Sequence, residues 1–90
     1  MAKPTVAFHP TPNPNAGKFV VDRQVVSTGG SRSFFEAEDA RGDPVGESLM
    51  ALPGVRSIFM VDDFITVTKT PATEWDDLIP RVEDAIRSAM

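Results

Sequence analysis

Val55-Arg-Ser-Ile-Phe-Met-Val61 and Phe64-Ile-Thr-Val-Thr-Lys69 stand two residues apart, joined by Asp62-Asp63. Both runs are rich in β-branched and aromatic side chains, which suit a pleated, half-buried surface. The two-residue spacing predicts a tight hairpin. Asp-Asp suits the left-handed angles of such a turn less well than Asp-Gly, so a slightly longer turn is the alternative. Alternation puts Val55, Ser57, Phe59 and Val61 on one face and Ile58 and Met60 on the other. With both faces partly apolar, the strand is expected at the centre of a sheet, or in a sheet covered on one side and docked on the other. Phe59 and Phe64 flank the turn and are expected in the core, as is Met60.

On the C-terminal side, Trp75, Leu78, Ile79, Val82, Ala85, Ile86 and Ala89 form an apolar stripe at helical spacing. Thr73 or a neighbour is placed to cap this helix. Pro80 falls inside the stripe, where its ring meets the carbonyl four residues back. A first turn over 74–79 and a main helix from Pro80 are therefore expected. On the N-terminal side, Pro53-Gly54 ends a helix that Asp43 caps and Pro44 opens, with Val45, Leu49 and Leu52 on its apolar face. Residues 34–40 carry a weak helical pattern of one or two turns, and residues 27–33 read as a flexible connector. Thr5-Val-Ala-Phe-His9 and Lys18-Phe-Val-Val-Asp22 read as strands, the second continuing weakly through Gln24, Val25 and Val26. Between them, Pro10-Thr-Pro-Asn-Pro-Asn-Ala-Gly17 combines fixed-φ prolines with residues that favour turns, so nothing regular is expected there. The result is an α/β (α+β) protein of order ββαββα. It is read as a two-layer sandwich, a small mainly antiparallel sheet packed by two main helices, in a single domain over residues 1–90.

Apolar residues make up 41% of the chain, enough for a globular core. There is no cysteine, hence no disulfide framework, no thiolate nucleophile and no CxxC metal or redox site. The net charge of −4 is unevenly distributed. Four basic residues face one acidic residue over 1–35, and five basic face twelve acidic over 36–90. An acidic surface repels phosphate backbones, so no nucleic-acid partner is expected. No apolar run reaches the length of a signal peptide or a membrane span, so no membrane partner and a cytosolic (cytoplasmic) location are expected.

Three segments together resemble the N-terminal domain of the Nfu (NifU-like) scaffold proteins. These are Thr11-Pro-Asn-Pro-Asn15 with Lys18-Phe19, then Gly54-Val55 with Phe59, and Asp63-Phe-Ile-Thr-Val-Thr-Lys69 with Trp75. They span nearly the whole chain in the family's order and spacing. Gly17 stands where an apolar residue is usual. The resemblance implies an α/β sandwich and a connection to iron–sulfur cluster assembly or delivery. In full-length Nfu proteins the cluster sits on a CxxC motif in a separate C-terminal domain, and this sequence contains no such motif. The resemblance therefore carries over an accessory recognition role, as a stand-alone copy of the domain, with no metal site and no cofactor of its own.

The Thr11–Asn15 loop has two readings. Asn13 and Asn15 can bond their own backbone two residues on, which makes a rigid strand connector. A loop so ordered also presents a pre-organised surface for a partner. Thr11, Asn13, Asn15, Lys18, Arg56 and Lys69 are the candidate partner-binding residues. Lys18, Arg23, Arg56 and Lys69 are expected to form a basic edge opposite acidic helices, an arrangement that favours charge-steered docking. His9 is the only histidine and has no nucleophile motif to serve, so it reads as a strand-end residue. Asp62 and Asp63 read as turn formers rather than cation ligands. Met50 fits core filling better than a docking surface. The function expected is non-catalytic: a protein-interaction module whose partners are iron–sulfur assembly factors or client apoproteins. A small-molecule-binding domain built on the loop and His9, and an interaction protein of an unrelated pathway, are the alternatives.

Overall fold

A computed structural model describes residues 4–26 and 30–90. In chain order the strands are β1 (Val6–Pro10), β2 (Ala16–Val21) and β3 (Ser31–Phe34), followed by a 3-10 turn (Ala37–Ala40). Helix α1 (Pro44–Met50), strands β4 (Val55–Val61) and β5 (Phe64–Lys69), and helix α2 (Trp75–Ala89) complete the fold. The five strands form one antiparallel sheet in the order β1-β2-β5-β4-β3.

The β4–β5 hairpin forms as its sequence predicts, with Val61 paired to Phe64 across a two-residue turn. Asp62 takes φ 48°, the left-handed conformation that the tight turn demands of it. Its carbonyl accepts the N–H groups of Val25 (2.7 Å) and Val26 (3.3 Å), so the turn is braced by the segment that follows β2. That brace ends the expected continuation of β2 through Gln24–Val26: the strand stops at Val21, and Val26 turns in to be buried.

Three further differences concern element boundaries. First, the sheet has five strands, not four. Residues 31–33, expected within a flexible connector, and Phe34, expected at the start of a weak helical stretch, pair along β4, with Ser33 opposite Phe59 and Phe34 opposite Ile58; residues 27–29 of that connector lie outside the described residues. Second, the loop between β1 and β2 is shorter than expected, because Pro10 pairs with Gly17. Proline is tolerated there because β1 is an edge strand. Third, α2 is one helix through Pro80. Leu78 before the proline and Val82 and Ile86 after it are all buried. Burying each such side chain stabilises by about 1.5–3 kcal/mol, which together exceeds the roughly 3 kcal/mol that an interior proline costs.

Asp43 caps α1 as expected, its carboxylate accepting from the Gly46 N–H at 3.0 Å. Glu74, next to Thr73, is the N-cap residue of α2; the Thr73 hydroxyl instead meets that of Thr70 at 2.7 Å.

Both helices lie on one face of the sheet. Phe19, Val21, Ile58, Met60, Ile65 and Val67 point into the layer between sheet and helices, where Leu49, Leu78, Val82 and Ile86 meet them. At one end of this layer Phe8 sits with its ring centroid 5.2 Å from both Phe19 and Trp75. Lys18, Val20, Phe64, Thr66, Phe59 and Val61 alternate with core residues and so face away from the helices. Phe59, expected in the core, is 40% exposed for this reason. Phe64 is half-buried on the same outer face, with the Lys18 ammonium 4.3 Å from its ring centroid.

Candidate functional site

The Thr11–Asn15 loop turns at the end of the sheet where β2 begins and β5 ends. Its conformation follows from its own side chains. The Thr11 hydroxyl lies 2.8 Å from the Ala16 carbonyl and 3.0 Å from that of Asn13, its one proton shared between the two acceptors. The Asn15 N–H donates to Asn13 Oδ1 at 2.9 Å, and the Ala16 N–H to the Asn13 carbonyl at 3.0 Å. This is an Asx-turn closed by a backbone turn. Two residues distant in sequence anchor it. The Trp75 indole N–H donates to the Pro14 carbonyl at 2.9 Å. Lys69 donates its backbone N–H to the Asn15 carbonyl at 2.8 Å and its ammonium to Asn15 Oδ1 at 3.2 Å. The Lys69 side chain, on the core side of β5, is capped by the Trp75 ring at 5.8 Å from its centroid.

Beside this loop runs a groove of about 530 Å³ lined by Asn13, Asn15, Phe35, Arg56, Ser57, Thr68 and Lys69. Four of the six candidate residues (Asn13, Asn15, Arg56 and Lys69) thus come together. Thr11 supports the loop without lining the groove, and Lys18 stands over Phe64 on the outer sheet face. The expected basic edge does not form as one surface. Arg56 and Lys69 share the groove, Lys18 lies on the outer face, and Arg23, beyond the opposite end of β2, pairs with Asp22 at 3.1 Å. Desolvation raises the Asp22 carboxyl, but bonds from Thr5 and the adjacent Arg23 outweigh it and hold the group below the usual carboxylate range.

Phe35, Ser57 and Thr68 are groove residues that the sequence did not single out. Ser57 and Thr68 are paired across β4 and β5, and strand alternation was signal enough to place Ser57. Phe35 follows the buried Phe34 and is 70% exposed; only the recognition of β3 would have separated the two. No acidic side chain lines the groove, and the Arg56 side chain makes no hydrogen bond or ion pair among the described residues. His9 is exposed on β1 opposite Lys18 and is not a groove residue. Among the described residues no three His, Cys, Asp or Glu side chains are grouped as a metal site, and no helix is long and apolar enough to cross a membrane.

These features describe a two-layer α+β protein with one helix-covered sheet face and a cationic, amide-lined groove at the sheet's end. The chain belongs to the Nfu family: the family described as "Scaffold protein Nfu/NifU N terminal" matches residues 6–90. It is 36% identical over 72 residues to the mitochondrial NFU1 iron-sulfur cluster scaffold homolog of Drosophila ananassae, a match that covers 80% of this chain and 25% of that one. It therefore spans about a quarter of the length of that curated relative. The crystal structure of protein SAV1430 from Staphylococcus aureus superposes with a TM-score of 0.78 at 27% identity, covering 93% of this chain and 98% of that one. The solution structure of a NifU-like protein from Saccharomyces cerevisiae gives a TM-score of 0.77 at 26% identity, covering 96% and 77% respectively. The family and the α+β fold expected from the sequence are those found.

Proposed function

We propose that this chain is a non-catalytic recognition module accessory to iron–sulfur cluster assembly or delivery, contacting an assembly factor or a client apoprotein through the groove beside the Thr11–Asn15 loop. The carrying observation is the groove itself. A loop fixed by internal bonds and by Trp75 and Lys69 holds Asn13 and Asn15 beside the Arg56 guanidinium, which has no partner among the described residues. A surface held in place before binding loses little conformational entropy on recognition. The pathway comes from the family: the Drosophila relative is named an iron-sulfur cluster scaffold homolog. The chain has no cysteine to hold a cluster through thiolates, which supports recognition rather than carriage. A cytosolic location is part of this proposal; the Drosophila relative is named mitochondrial.

The test is partner capture from extract, with proteins identified by mass spectrometry, for the wild type against Asn13→Ala and Arg56→Gln. Both side chains are exposed, so either substitution should leave the fold in place. Recovery of iron–sulfur apoproteins or assembly factors by the wild type, weakened by either substitution, is expected. Failure to recover any, under conditions where a longer Nfu relative does, would overturn the proposal.

A further inference from the structure

We infer that the groove binds an acidic peptide segment, a partner's glutamate or aspartate carboxylate lodged between Arg56 and the Asn13 and Asn15 carboxamides, with an adjoining apolar residue against Phe35. The inference deepens the recognition reading above and rests on it. Asn13 Oδ1 accepts the Asn15 N–H, and Asn15 Oδ1 accepts the Lys69 ammonium. Each donor dictates which way its carboxamide points, since only the oxygen can accept. Both amide oxygens are thereby consumed inside the protein, and both NH2 groups remain without a partner among the described residues. The loop consequently offers the groove donors and no free amide acceptor.

The other polar groups act in the same direction. The Lys69 ammonium uses two of its three protons, on Asn15 Oδ1 and on the Thr70 carbonyl at 3.4 Å. The Arg56 guanidinium has all its donors unused among the described residues. The Ser57 and Thr68 hydroxyls can donate as well as accept. A lining with two cations, two free amide NH2 groups and no carboxylate is complementary to an anion.

The size and rim of the site select the kind of anion. A space of about 530 Å³ is suited to an organic ligand rather than one small oxyanion. Phe35, 70% exposed at its edge, offers carbon surface that an inorganic anion has no use for. A nucleic-acid strand would bring many phosphates against a chain of net charge −4, whereas one or two carboxylates need only the local field of the groove. Arginine's planar fork fits a carboxylate with two parallel bonds.

The test uses the purified protein and an acetylated, amidated pentapeptide carrying two glutamates beside a leucine. NMR follows the Asn13 and Asn15 carboxamides and the Arg56 side-chain N–H, and fluorescence follows Trp75, the sole tryptophan, whose indole is bonded to the loop. Saturable shifts at those groups are expected, with affinity falling about tenfold or more in Arg56→Gln, as loss of a charged hydrogen bond implies. Lys18→Gln, on the outer face, should leave affinity unchanged. Equal binding of the glutamine version of the peptide, or no effect of Arg56→Gln, would overturn the inference. So would inorganic phosphate reproducing the shifts with the same Arg56 dependence, or an oligonucleotide binding more tightly than the peptide. If the peptide binds through Arg56 but extract capture yields no iron–sulfur proteins, the assembly role fails and the groove stands. If capture succeeds equally with Arg56→Gln and the peptide does not bind, the groove fails and the assembly role stands.

Discussion

Asn15 and Asn13 sit two residues apart in the same loop, yet their side chains have different duties. Asn15 supplies the side-chain acceptor for the ammonium of Lys69, a residue only 7% exposed. Removing that acceptor leaves a covered cation short of a bond, so Asn15→Ala should cost about 1–3 kcal/mol in urea unfolding. Asn13→Ala breaks an exposed Asx bond and should cost about 0.5–1.5 kcal/mol. Gly17 is a second position where one atom decides. An added Cβ would collide with the Phe8 ring and come within 3.0 Å of Trp75 Cη2. Phe8 is itself wedged between Phe19 and Trp75, so Gly17→Ala should destabilise by about 1–3 kcal/mol and shift Trp75 emission. At this scale the sequence was partly legible. The Asx chemistry was readable because it is local. The Asn15–Lys69 bond joins residues 54 apart and has no local signature. Gly17 read only as a departure from the family pattern, because the rings that occupy the space belong to β1 and α2.

At the level of elements, Pro80 is exposed on a helix whose buried stripe runs past it on both sides. Pro80→Ala would restore one backbone donor and relieve the ring clash without altering the core. It should raise stability by about 1–3 kcal/mol, read as a higher urea midpoint at unchanged m-value. The proline's intrinsic preference predicted a break, and tertiary burial overrode it. β3 shows the same override in the opposite direction. Ser31-Arg-Ser-Phe34 has a single apolar residue and no alternation to read, so its strand conformation comes from the edge that β4 offers. Where the signal was local, as in the β4–β5 hairpin, the Asp43 cap or the Pro44 start, sequence and structure agree. Where an element depends on what lies beside it, they diverge.

For the molecule as a whole, the helices cover one sheet face and the groove lies at the sheet's end. The two-layer architecture was legible from two hairpin-like strand pairs and two apolar helical stripes. The orientation of the hairpin was not, since Phe59 and Ile58 are equally apolar and only the position of the helices tells which faces the core. The charge asymmetry along the chain did not become one basic edge, because Lys18 alternates to the outer face while Lys69 alternates to the inner one. Arg56 and Lys69 meet because the antiparallel register brings the start of β4 beside the end of β5.

The strand order has a consequence for how the chain comes to be folded. β1–β2 and β4–β5 are each local pairs, but the seam between β2 and β5 sets Phe19 against Ile65 and Gly17 against Val67. Closing so long a loop is entropically expensive, and an isolated hairpin is marginal in water. Docking at the seam should therefore limit the folding rate. Val67→Ala is expected to slow refolding with a φ-value above about 0.5, while Phe34→Leu at the β3 edge should act mainly on unfolding, both read from stopped-flow chevrons. During synthesis the first hairpin emerges long before its partner exists. It has no stable seat until Lys69 has left the ribosome, and for that interval the Thr11–Asn15 loop lacks both of its anchors.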